Sequence, residues 1–207
     1  MPGQQLQTIA LVLARLPSGS DSFEQLTAFC AEHGLLHCLR RVAAKKPTPN
    51  SPPLDIFDES ELWLESTNQG RTWFIKEHRL IRRHTGIGRS YSALKRAAAV
   101  SGLITRNPVS DESRPGIALL LRHSFAALET SDRADIVWLK ALYCFLRDEG
   151  YPVKEQWWPL LGEDDRALVA HLLNQPLTAQ TADPATVDRL SDRLKDWVKA
   201  ETEIRLA

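Results

Sequence analysis

The chain has 207 residues, 43% of them hydrophobic and 25% charged, with Lys+Arg and Asp+Glu both at 26 and a formal net charge of zero. That length accommodates one large domain or two small ones, each able to bury a core. There is no apolar run near the ~18 residues of a membrane-spanning helix, and no P-loop, G-x-S-x-G or H-E-x-x-H signature.

Residues 7–16 (QTIALVLARL) are rich in Ile, Val and Leu and predict a strand rather than a signal peptide, because no basic leader precedes them. Pro17 to Asp21 is a turn. Residues 23–31 (FEQLTAFCA) alternate loosely and predict a second strand, although Phe23, Leu26, Phe29 and Cys30 also fit a helical period and leave that alternative open for 22–32. Glu32-His33-Gly34 predicts a tight turn and 35–43 a third strand. Four prolines between Pro47 and Pro53 exclude a regular helix or a central strand there. Leu54–Phe57 and Glu61–Glu65 predict two short strands around an acidic turn at Asp58-Glu59-Ser60. Thr67 to Gly70 predicts a hairpin turn and Arg71–Ile75 a fifth strand. Five short strands joined by turns suit a small barrel of the OB type.

Beyond Gly88 the period changes to that of a helix. Helices are expected over 90–103, 116–128, 132–149, 164–173 and 184–206. In the third, Ile136, Leu139, Leu142, Tyr143 and Leu146 form one stripe, with Asp132 as cap and Gly150 just past the end. In the fifth, Val187, Leu190, Leu194 and Trp197 share a face. The expected fold class is α+β: an N-terminal OB-fold barrel in residues 1–83 and an α-helical domain in 84–207.

Charge is uneven along this order. Residues 1–110 hold 14 Lys/Arg against 9 Asp/Glu, a balance of +5, and residues 111–207 hold 12 against 17, a balance of −5. Arg71, Lys76, Arg79, Arg82, Arg83, Arg89, Lys95 and Arg96 are opposed within their stretch by Glu77 only. Such a run attracts polyanions, of which nucleic acid is the commonest inside cells, or else is a solvated basic face. Arg40, Arg41, Lys45 and Lys46 form a second cluster. Trp73 and Phe74 lie inside the basic run, with Trp63 one strand away; on a strand the two point to opposite faces, so either one is outward and available for stacking on a base or both pack in cores. Thr85 to Ala93 has a G-h-G-x-x-x-A pattern like the hairpin of helix-hairpin-helix motifs, whose first helix would have to come from Phe74–His84; the other reading is a plain glycine link into the next helix. The nucleic-acid-binding candidates are therefore Arg40, Arg41, Lys45, Lys46, Arg71, Trp73, Lys76, Arg79, Arg82, Arg83, Arg89, Lys95 and Arg96. If the run is a binding face, Arg82→Glu with Arg83→Glu weakens oligonucleotide binding and leaves thermal stability intact.

The cysteines, Cys30, Cys38 and Cys144, are too few and too scattered for a disulfide framework and suit a reduced compartment. Cys30, His33, His37 and Cys38 are near in sequence, but no second pair follows, and no metal or cofactor is expected. Glu163-Asp164-Asp165 is the acidic first turn of a helix. No catalytic constellation emerges, and the chain is expected not to be an enzyme.

Three stretches resemble the RecO family of bacterial recombination mediators. ALVLARLPSGSDSFEQLTAFCAEHGLLHCLRRVAAK (10–45) is similar to the family's opening strands and basic loop, PPLDIFDESELWLE (52–65) to its later barrel strands, and IVWLKALYCFLRDEGYPV (136–153) to the end of a helix in its helical domain. The resemblance implies binding of single- and double-stranded DNA, strand annealing and recombinase loading in DNA repair. It further implies RecR and the C-terminal tail of single-strand-binding protein as partners, and a cytoplasmic, nucleoid-associated location without membrane attachment. The tail would lie in a groove of the helical domain near Arg122, His123, Lys140 or Arg147. The chain lacks the four-cysteine zinc module of many members, and its proline-rich loop at 44–53 is longer or stiffer than theirs. Two rival readings are a protein-interaction adaptor of the repair machinery with little DNA binding of its own, and a small hydrolase.

Overall fold

A computed structural model describes residues 3–16, 22–41, 53–66 and 68–206. The protein is α+β, with a five-stranded N-terminal sheet followed by helices. It divides into two compact units, residues 1–84 with 114–118, and residues 85–113 with 119–207.

In the first unit, β1 (Gln4–Leu16), β2 (Phe23–Cys30) and β3 (Gly34–Arg41) form an antiparallel meander, turning at Gly34 with φ +70°. β4 (Glu59–Ser66) pairs antiparallel with the first half of β1 and with β5 (Trp73–Arg82). β5 also pairs in parallel with β3, so each strand has two neighbours and the ring closes in the order 1-2-3-5-4. The helical alternative for 22–32 loses because β2 is hydrogen-bonded along both edges, which local periodicity does not report.

Alternation sets the inside of this ring. Ala10, Val12, Leu26, Ala28, Cys30, Leu36, Cys38, Leu62, Leu64 and Trp73 form one apolar cluster. β4 alternates strictly, with Ser60, Leu62, Leu64 and Ser66 buried and Glu59, Glu61, Trp63 and Glu65 on the outer side.

Leu54–Phe57 is not a strand. Leu54 is 1% exposed and joins the barrel core, and the chain then turns through Phe57, whose φ is +68°. Two backbone bonds pin this turn to β1, Val12 N–H to the Asp58 carbonyl at 2.9 Å and Phe57 N–H to the Val12 carbonyl at 2.7 Å. They fall beside the bulge that shifts β1 register between Val12 and Ala14. The side chain that reads as part of a strand is instead a plug for the core.

In the second unit, α1 (Tyr91–Arg106) is capped by Ser90, whose hydroxyl accepts from Ala93 N–H. α2 (Arg114–Thr130) carries proline in its first turn, and its first five residues group with the strands. α3 (Ala134–Asp148) is buried on nearly all sides and packs against α1 and α5, as a helix at the centre of a bundle must. Asp132 does not cap α3; Arg133 holds the cap position, its N–H donating to the Ser131 hydroxyl. The other end is a Schellman turn. Gly150 N–H donates to the Arg147 carbonyl at 3.1 Å and Tyr151 N–H to the Leu146 carbonyl at 2.9 Å, with Gly150 at φ +81°, where a Cβ would be strained.

α4 (Glu163–Asn174) begins with the expected acidic turn. α5 (Pro184–Glu201) buries Val187, Leu190, Leu194 and Trp197 as the periodicity requires. It stops at Glu201 rather than Leu206. Beyond it the buried Asn107 amide donates to the Arg205 carbonyl (3.1 Å) and accepts from Arg205 N–H (2.8 Å), holding that segment extended.

The barrel thiols are deep. Burial pushes Cys38 up to about 12, with Cys30 adding to the shift. Above pH ~9 the unfolded thiol ionises while the folded one keeps its proton, so the unfolded state binds fewer protons and stability falls as pH rises. We expect urea midpoints to decline between pH 8 and pH 10 more steeply in the native sequence than in Cys38→Ala. Equal slopes would remove Cys38 as the cause.

Candidate nucleic-acid interface

The expected cations divide into three groups. The first is neutralised by neighbouring strands or helices. On the outer face, Lys76 pairs with Glu65 and Arg79 with Glu61, both at 2.6 Å. Glu61 also accepts from Gln7 at 2.7 Å, and the Gln7 amide followed by Arg79 holds its carboxyl below the ordinary range. Arg82 stands opposite Glu59 in the same ladder. Arg83 forks onto Asp58 (2.6 and 2.9 Å) and donates to the Pro53 carbonyl (2.6 Å). The Asp58 hydrogen bond raises the Arg83 pKa. Arg40 shares the strand face of Leu36 and Cys38 and pairs with the buried Glu24, which also meets Arg15 at 2.7 Å. In the helical unit Arg96 pairs with Asp188 at 2.5 Å.

The cause of this neutralisation is register. The sequence ESELWLE of β4 places Glu61 directly opposite Arg79, and Glu59 opposite Arg82. Acids some twenty residues upstream in the chain therefore lie one strand away in space.

A second group, Arg41, Arg71, Arg89 and Lys95, is exposed and has no ion-pair partner among the described residues. Arg41 and Arg71 belong to the first unit, Arg89 and Lys95 to the second. The third group, Lys45 and Lys46, lies outside the described residues.

Trp73 is not a stacking platform. It is 9% exposed and part of the barrel core. Its neighbour Phe74 consequently faces outward, half-buried, and meets Phe23 edge-on with ring centroids 6.1 Å apart. Phe23 is the cross-strand partner of Arg41, Gln25 that of Leu39, and Leu39 that of Phe74. The outer face of β2 and β3 thus gathers two aromatic rings, the exposed Gln25 and His37, and Arg41. Phe23 is absent from the sequence-derived set; alternation from an inward Trp73 finds Phe74, but the Phe23 contact depends on tertiary pairing.

The helix-hairpin-helix reading fails, since Phe74–His84 contains β5 and supplies no first helix. Gly86 has a packing reason instead: a Cβ there would sit 2.4 Å from the Glu129 backbone oxygen.

The acidic turn of α4 has a structural role as well. Asp165 takes Arg189 (2.7 Å) and Arg193 (2.8 Å), and the Arg189 hydrogen bond holds its carboxyl below the ordinary range. Among the described residues no three His, Cys, Asp or Glu gather as a metal-binding group, and no helix is long and apolar enough to cross a membrane. A scan of protein-family models and a search of curated proteins found no match for this chain.

Proposed function

We propose that the first unit is an OB-type barrel that binds single-stranded nucleic acid across the outer face of β2 and β3. The carrying observation is the juxtaposition of Phe23, Phe74 and Arg41 on that face. Barrels with this strand order take oligonucleotides on strands 2 and 3, flanked by the loops after strands 1 and 4. Here the β4–β5 turn carries Arg71, whose exposed cation suits a phosphate. Bases stack on aromatic faces for about 1–3 kcal/mol each, while cations track the backbone.

Combined with the RecO resemblance in residues 10–45, 52–65 and 136–153, the reading is a non-enzymatic DNA-binding mediator in repair. It binds single- and double-stranded DNA, promotes annealing and recombinase loading, and works in the cytoplasm with RecR and the tail of single-strand-binding protein.

The adaptor reading draws its support from the ion pairs that neutralise Arg40, Lys76, Arg79, Arg83 and Arg96. Fluorescence anisotropy with a labelled oligonucleotide, titrated at several salt concentrations, separates the two. The mediator reading expects tight binding at low salt and a negative log–log slope of about 0.7 per phosphate contacted. Absence of binding at low salt, with RecR or single-strand-binding protein captured in a pulldown, would establish the adaptor instead.

A further inference from the structure

A second surface on the barrel has different chemistry. The outer face of β1, β4 and β5 holds a groove of about 540 Å³ around Trp63, within the usual range for a binding pocket. Register places Trp63 between Gln7 on β1 and Glu77 on β5. The ladder slips here: Trp63 pairs with Glu77 but Leu64 with Ile75, leaving Lys76 as the extra residue of a bulge. Bulges commonly re-aim side chains beside sites.

Charge identifies the occupant. Lys76 is held by Glu65 at 2.6 Å, so those two cancel. Arg79, the next cation on β5, is held by Glu61. Glu77 is exposed and has no partner among the described residues. The rim of the Trp63 groove therefore keeps one uncompensated negative charge beside the indole. A phosphate chain would meet the uncompensated Glu77 and be repelled. A cation gains twice, from the indole face and from the carboxylate. Arginine fits better than lysine, because a planar guanidinium both stacks on an aromatic ring and forks onto a carboxylate.

We propose that this groove is a docking site for an arginine-bearing segment of a protein partner, with Trp63 as the stacking floor and Glu77 as the anchor. The proposal is independent of the nucleic-acid reading, which uses β2 and β3.

The probe is a blocked Gly-Arg-Gly tripeptide, with Gly-Glu-Gly as control, titrated to about 10 mM, where a millimolar affinity is readable. The reporter is the Trp63 indole N–H signal in ¹⁵N-labelled protein, assigned by its loss in Trp63→Phe. A saturable shift with the arginine peptide is expected, with at least threefold weaker affinity in Glu77→Gln and no response to the glutamate peptide. The shift should persist in Arg41→Glu with Arg71→Glu, which tests the other face. No saturable shift, an equal shift with the glutamate peptide, or unchanged affinity in Glu77→Gln would overturn the proposal. Glu77 is exposed, so its variant keeps the test valid even if Trp63→Phe fails to fold.

Discussion

Arg83→Ala is expected to lower the urea midpoint strongly, by the equivalent of about 2–3 kcal/mol, with little change in the denaturant slope. Asp58 is 0% exposed, and its carboxylate is answered by two Arg83 hydrogen bonds and by Asp55 N–H at 2.8 Å. Removing the guanidinium leaves a buried anion with that single backbone donor. The cost lies between the ~0–1 kcal/mol of an exposed pair and the ~3–5 kcal/mol of breaking a fully buried one, because Arg83 itself is 32% exposed. The same guanidinium holds the Pro53 carbonyl, so the turn that carries Leu54 into the core loosens with it. The double variant Asp58→Ala with Arg83→Ala should recover part of the loss, since no orphan charge remains. If Arg83→Ala costs under ~0.5 kcal/mol, as surface substitutions do, the clasp is not structural. This reverses the expectation that charge reversal at Arg83 spares stability. The basic run made Arg83 look like a ligand contact; its geometry ties the β3–β4 connection to the end of β5.

The second large effect concerns nucleic-acid affinity. Arg41→Glu with Arg71→Glu should weaken single-strand binding at low salt by more than tenfold and reduce the salt slope by about 1.4, two contacts at ~0.7 each. Both residues are exposed and without an ion-pair partner among those described, so stability should change little. Phe74→Ala should act differently. It removes one stacking face, about 1–3 kcal/mol, and leaves the salt slope unchanged because no charge is lost. A matched control is Lys76→Gln with Arg79→Gln, whose charges Glu65 and Glu61 already compensate. Should the control lose more affinity than Arg41→Glu with Arg71→Glu, the strand path would run along β5, and the β2–β3 face would be the wrong surface.

Local signals carried much of the fold. The Gly34 turn, the period change beyond Gly88, the buried stripe of α3 and the inner face of α5 all follow from short-range pattern. Element ends were less legible. Asp132 has the chemistry of a cap, but Arg133 takes the position, and α5 ends early because Asn107 engages Arg205 from nearly a hundred residues away. Leu54–Phe57 has strand composition, yet its backbone meets β1 only at Phe57, beside Val12, and a strand exists only by a run of such pairs.

The candidate site divides along the same line. Arg41, Arg71 and the opposed faces of Trp73 and Phe74 were accessible from composition and period-2 alternation. Which of the two rings is inside, and which cations are free, were not.

The sequence by itself therefore determined the kinds of element, their order, and an excess of positive charge in the first half of the chain. Only the tertiary structure decided where that charge acts. Coulomb energy falls with distance through space, not along the chain, and the β4–β5 register brings Glu61 against Arg79 across eighteen positions of sequence. A linear tally cannot contain that cancellation, which is why the longest basic run is mostly neutralised and the open cations of the first unit, Arg41 and Arg71, stand at a strand end and a turn.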